Sequence, residues 1–192
     1  MRPSAAAPSA GASAIYSEGM PRFDATTAQC HVFTFKEGAL SALAHDLELE
    51  VGRFVIEVGP DQAVEARFEA GSVRVLHAIK DGRPSEMSAG DKRKIEGNIA
   101  DDVLASRRHP EIRFTAGKVT PSGDGFVLAG ELTLHGKTRP LEVRTRAAEG
   151  GKQVAEITLH QPDFGIKPFS AMLGTLKIKP DVKVRVTLPW PA

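Results

Sequence analysis

Between His109 and Pro140 the chain runs HPEIRFTAGKV, breaks at PSGDG, and resumes as GFVLAGELTLHG before leaving through GKTRP. Ile112, Phe114 and Ala116 alternate with Glu111, Arg113 and Thr115; Phe126, Leu128, Gly130, Leu132 and Leu134 then alternate with Val127, Ala129, Glu131, Thr133 and His135. A period of two sets alternate residues on opposite faces of a strand and buries one of them. Pro110 has no N–H for a ladder and fits a strand entrance. Ser122-Gly123-Asp124-Gly125 supplies the positive φ and Asx chemistry of a hairpin loop. Two neighbouring antiparallel strands follow, and with them a meandering sheet.

The same alternation recurs along the chain. It is read at 22–36, where Cys30, Val32 and Thr34 oppose His31, Phe33 and Phe35, and again at 63–69, 72–79, 139–147, 153–160 and 176–188. In 46–58 the apolar set changes parity across Gly52-Arg53, which predicts a β-bulge at Gly52. Two stretches differ. Glu37 to His45 (EGALSALAH) spaces Leu40, Leu43 and Ala44 as a short helical turn would. Asp81 to Arg108 opens with an irregular loop, after which Asp91 is placed to cap a helix carrying Ile95, Ile99 and Val103.

Evenly spaced strands joined by hairpin turns, with one helical insertion, predict an all-β fold. An eight-stranded antiparallel β-barrel with one inserted amphipathic helix is preferred to a sandwich, because closure removes exposed sheet edges. A barrel of that size encloses packed side chains or one small ligand. With 192 residues, one domain at 21–192 is expected after an Ala/Ser/Pro-rich disordered tail at 1–20.

Charge narrows the function classes. Lys and Arg number 25 against 24 Asp and Glu, and no basic block is interleaved with aromatics, which argues against nucleic acid. The single Cys30 forms no intramolecular disulfide and reads as a buried thiol. The N-terminus lacks a Leu/Val-rich signal segment, and no apolar run approaches the roughly 18 residues of a spanning helix. A soluble, cytoplasmic protein without a membrane span is the expectation.

Motifs for chemistry are sparse. The six histidines show no HxxxH, HxH or accompanying CxxC, so no metal is expected. GxSxG, GxGxxG and GxxxxGK[ST] are all absent, and no cofactor is expected. His45-Asp46 is the most enzyme-like pair, yet neighbours on a strand point to opposite faces. The apolar stretch holding Phe164, Ile166, Phe169, Met172 and Leu173 is read in two ways: it closes the barrel floor, or it lines the entrance to an apolar cavity with Lys167 at the rim. Leu40, Leu43, His45 and Phe114 complete the candidate ligand-binding set.

Four stretches carry a family resemblance: VLASRRHPEIRF, VLAGELTLHGKTRPLEV, QPDFGI followed by LGTLKI, and a strand ending in Gly52-Arg53-Phe54. In order and spacing the chain from about Phe23 to Leu188 resembles the YceI-like, polyisoprenoid-binding family. The resemblance implies a lipocalin-like barrel that binds a long amphiphile (polyisoprenoid, fatty acid or fatty amide) without catalysis. It also implies that homodimers are common and that many members are exported, a point on which this chain departs by showing no signal segment. Two rivals stand beside it: an enzyme using His45 and Asp46 on an apolar substrate, and a structural or stress-associated barrel filled by its own side chains. Against the second, Gly130, Ala116 and Ala66 are small and are expected to leave room inside.

Overall fold

The computed structural model describes residues 20–37, 45–59, 63–171 and 176–190. The predicted helical turn at 37–45 and the tail at 1–20 fall largely outside them. The strands are β1 (Arg22–Asp24), β2 (Gln29–Thr34), β3 (Lys36–Glu37), β4 (Asp46–Val51), β5 (Phe54–Val58), β6 (Val64–Glu69), β7 (Val73–Lys80) and β8 (Arg83–Ser85). After helix α1 (Ala89–Asn98) come β9 (Glu111–Ser122), β10 (Gly125–Leu134), β11 (Lys137–Ala148), β12 (Lys152–His160), β13 (Ser170–Ala171), β14 (Leu176–Ile178) and β15 (Asp181–Pro189).

Twelve of these form one antiparallel sheet in the order β1-β5-β6-β9-β10-β11-β12-β15-β2-β4-β7-β8. Its curl is set by two strands that change partners midway. β4 runs on into β5 through Gly52-Arg53, and β6 into β7 through a 3-10 turn at Ala70–Ser72. The two corners are tied together, since Gly52 N donates to Ser72 O at 3.0 Å and Arg53 N to Ser72 Oγ at 3.0 Å. Counting each bent pair as one strand gives a wall of eight: β2, β4–β5, β6–β7, β9, β10, β11, β12 and β15. The expected barrel is therefore present. Its sheet holds more than eight strands because two are broken at corners and short strands flank the edges.

Alternation fills the interior as the sequence pattern requires. Leu47, Leu49 and Val51 of β4 and Phe54, Ile56 and Val58 of β5 are buried, and their neighbours face outward. The parity change at Gly52 is a corner, and the bulge lies instead between Glu48 and Leu49, where the register with β7 slips. A second slip falls between Ala129 and Glu131, around Gly130. A Cβ on Gly130 would collide with the Thr115 carbonyl, so only glycine allows β9 to approach there. The hairpin turn is shorter than PSGDG suggests: β9 runs through Ser122, leaving Gly123 and Asp124 as the connection.

Helix α1 starts earlier than Asp91. Ser88 is its N-cap, its hydroxyl accepting from Asp91 N at 3.1 Å, while Ser88 Oγ donates to the Asp91 carboxylate at 2.7 Å. The helix is pinned to β7, with the Val75 N–H donating to Glu96 Oε1 at 2.9 Å and Lys92 Nζ donating to the Leu76 carbonyl. A π-turn at Ile99–Val103 follows, and Ile95, Ile99, Val103 and Leu104 all pack against the core.

Candidate functional site

The interior of the barrel is not filled. A cavity of about 800 Å³ runs through it, walled by Val32, Leu49, Ala66, Leu132, Ala155 and Val184 among many other apolar side chains. Of the small residues expected to leave this room, Ala66 faces the cavity. Ala116 is buried in the wall, and Gly130 serves the close strand approach.

The two ends of the cavity differ. At one end Trp190 packs on Phe126 with ring centroids 4.8 Å apart. Thr145 and Gln153 also line this end, but their polar atoms are engaged. Thr145 Oγ1 accepts from Phe126 N at 2.9 Å and donates to Gln153 Oε1 at 2.8 Å, and Gln153 Nε2 donates to the Asp124 carbonyl at 3.2 Å. This end is a closed floor.

At the other end stand all the exposed residues that line the cavity: His45, Glu86, Ser88, Asp91 and Lys94. Opposite α1, this mouth is bordered by a small sheet in the order β13-β14-β3, whose Leu176 and Ile178 turn into the cavity together with Phe169 and Ala171. Thr34 also lines the cavity, and its Oγ1 is buried without a hydrogen-bond partner among the described residues. The polarity of the site is thus concentrated at its mouth.

Of the residues singled out from the sequence, His45, Phe114, Ile166 and Phe169 line the cavity. Phe164 does not: it is buried in the core beside the wall, because the 3-10 turn Gln161–Phe164 tucks it under β11. Lys167 is exposed and outside the lining, one residue beyond the inward Ile166. Leu40, Leu43, Met172 and Leu173 lie outside the described residues. Pattern reading missed Ile95, Ile99 and Trp190 as cavity residues, although the four-residue spacing of the first two was visible.

The enzyme-like pair is not joined. The Asp46 carboxylate accepts from the Lys36 backbone N–H at 2.8 Å, while His45 sits exposed at the mouth. The remaining histidines go elsewhere. On the outer wall Glu48 receives His31 Nδ1 at 2.8 Å, and His77 Nε2 comes within 2.9 Å of the other oxygen but off the hydrogen-bond direction. His109 packs on His135 near the mouth. Its pKa is held below the ordinary imidazole value by desolvation first, then by the charges of His135 and Arg108. Among the described residues no group of three or more His, Cys, Asp or Glu is arranged to hold a metal ion. Cys30 faces the cavity and is buried, and burial pushes its thiol up to about 12. That thiol is protonated and unreactive at neutral pH.

A comparison with curated proteins finds no match. The fold is shared with solved structures, two of which follow. BcnA of Burkholderia cenocepacia superposes with a TM-score of 0.59 at 15% identity, over 84% of this chain and 94% of that one. A polyisoprenoid-binding domain of Saccharophagus degradans, implicated in plant cell wall breakdown, does so with a TM-score of 0.54 at 10% identity, over 87% and 94%. The family model for the YceI-like domain matches residues 23–189, which span the whole wall from β1 to the end of β15. By that match, and by the curled antiparallel sheet with helix α1 against it, the chain belongs to the YceI-like domain family.

Proposed function

We propose that this protein binds a long apolar amphiphile inside its barrel and acts as a carrier or store rather than as a catalyst. The observation that carries the reading is the cavity of about 800 Å³, apolar along its length, closed at the Trp190 end where its polar groups bond one another, and with exposed polar side chains only at its mouth. Such a shape takes a hydrocarbon tail lengthwise, with the head group left at the mouth beside His45 and the unpartnered Thr34 hydroxyl. A polyisoprenoid, a fatty acid and a fatty amide all meet that description, and the fold is shared with a polyisoprenoid-binding domain.

Energetics need no special motif. Burying about 400 Å² of hydrocarbon at roughly 25 cal/mol/Å² contributes on the order of 10 kcal/mol. Association costs about 4 to 15 kcal/mol, so rigid preformed walls matter as much as area. The engagement of Asp46 by the Lys36 N–H weighs against the acid–base alternative, since among the described residues no carboxylate is bonded to the His45 imidazole.

Purification without detergent, solvent extraction and mass spectrometry of the extract test the reading. A bound isoprenoid or acyl compound in near-stoichiometric amount is expected. An empty extract, with no uptake of added prenols, fatty acids or fatty amides, overturns it.

A further inference from the structure

We propose that the mouth of the barrel docks on the surface of an anionic lipid bilayer, through a basic arc that borders the cavity opening. The arc is built by contacts between segments distant in the sequence. The loop before β9 reaches the β10–β11 turn, where the His109 and His135 rings lie with centroids 4.5 Å apart. That turn reaches the segment after β12: Lys137 Nζ lies against Gly165, and Arg139 Nε donates to the Asp163 carbonyl at 3.3 Å. The same segment meets the start of β15, since Gln161 N donates to Pro180 O at 2.9 Å, and Lys179 N in turn donates to Phe35 O at 2.8 Å. The result is a continuous rim that carries Arg108, Lys137, Arg139, Lys167, Lys177 and Lys179, all exposed.

Three features make this rim more than an ordinary solvated edge. First, among the described residues none of these six side chains has a carboxylate within salt-bridge distance, so no ion pair neutralises the charge gathered there. Second, the acidic groups on the rim are fewer and partly engaged: Asp181 is held by His160, Asp46 accepts from the Lys36 N–H, Glu37 sits across from Lys177, Asp163 stands beside Arg139, and Glu111 lies at the start of β9. The α1 side of the mouth is balanced, with Lys92, Arg93 and Lys94 against Glu86, Asp91 and Glu96, so the positive excess is confined to one side in a chain of net charge +1. Third, the cations alternate with side chains that line the cavity: Lys167 follows Ile166, and Lys177 and Lys179 flank Ile178. Charge facing a bilayer and an apolar passage opening between the charges is the arrangement that lets a long amphiphile pass from membrane to barrel without crossing water.

The proposal rests on the cavity holding such a ligand, but its test is independent of that reading. The full chain is mixed with vesicles of phosphatidylcholine alone, or with about one-third phosphatidylglycerol, and the bound fraction is measured by flotation at low and high salt. Binding to the anionic vesicles, weakened as salt screens the attraction, is expected. Lys137→Glu/Lys167→Glu/Lys179→Glu is expected to lower that binding about 100-fold, at roughly fivefold for each cation near an anionic surface. Lys118→Glu/Lys152→Glu, away from the mouth, serves as the control, and Lys→Gln at the three rim positions serves if the reversed variant is poorly folded. Equal binding to both vesicle types, or an equal loss in the control, overturns the proposal. So does binding of a soluble polyanion with no binding to vesicles, which would assign the arc to an acidic macromolecule. Extraction of lipid from the rim variant separates the two readings: a loaded barrel that no longer binds vesicles supports both, while vesicle binding by a barrel that never loads removes the carrier reading alone.

Discussion

The Trp190 indole lies on the Phe126 ring, centroids 4.8 Å apart, and also lines the cavity. Because it is the only tryptophan of the chain, it is an internal reporter at the closed end. Titration with a long-chain prenol or fatty acid is expected to change its emission saturably, and a short-chain homologue that cannot reach the floor is expected to leave it unchanged. Trp190→Phe should abolish the signal while preserving binding measured by extraction.

Ala155 faces the cavity midway along β12, between Thr145 of β11 and Val186 of β15. Ala155→Phe places a ring in the space assigned to the ligand. Affinity is expected to fall at least about tenfold, equivalent to ~1.4 kcal/mol. Overpacking a filled core costs about 1 to 3 kcal/mol. Here the cavity accepts the ring, so the melting temperature is expected to hold or rise. A large drop in melting temperature would mean that the interior is filled in solution.

The Cys30 thiol, raised to about 12 by burial, stays protonated in the folded chain, whereas the unfolded chain loses that proton near the ordinary value. From about pH 8.5 upward the unfolded state therefore binds fewer protons, and stability falls as pH rises towards 12. Denaturant titrations across that alkaline window are expected to show the fall and to show less of it in Cys30→Ala. At neutral pH a thiol-specific reagent should react with Cys30 only after unfolding.

His109 has its pKa lowered by desolvation, and further by His135 and Arg108. Below about pH 6.5 the unfolded chain takes up this proton first, so acidification disfavours the packed His109–His135 arrangement. An NMR titration is expected to give His109 a midpoint below that of a free imidazole. His135→Asn should move the midpoint upward, and a midpoint unaffected by that change would remove His135 as a cause.

Gly130→Val brings a branched side chain onto the Thr115 carbonyl, where even a Cβ would collide. A loss on the order of 2 kcal/mol or more is expected, seen as a lower urea midpoint. Gly117→Ala, with open space where its Cβ would stand, is the matched control and should change little.

Much of the wall was legible because a period of two survives any curl of the sheet. The alternation in His109–Pro140 is the observed β9–β10 pair, and the buried thiol at Cys30 follows from the same reading. Errors gathered where strands bend. A change of parity at Gly52 looks the same in sequence whether it is a bulge or a corner, and only pairing with Ser72 shows it to be a corner. The helix cap shifted from Asp91 to Ser88 because Ser88 and Asp91 bond to each other, and sequence alone does not rank the two.

By itself the sequence determined an antiparallel wall with one apolar face, one helix, and a family whose pattern runs nearly the length of the chain. Those are consequences of local periodicity and residue order. The tertiary structure decided which apolar residues face empty space and which face each other, so that Ile166 lines the cavity while Phe164, two residues away, is packed beneath the wall. It also decided that one end is sealed by Trp190 and Phe126 and the other opens beside a basic rim. Neither fact is local: each depends on how far the sheet curls and on strand register bringing together loops far apart in sequence.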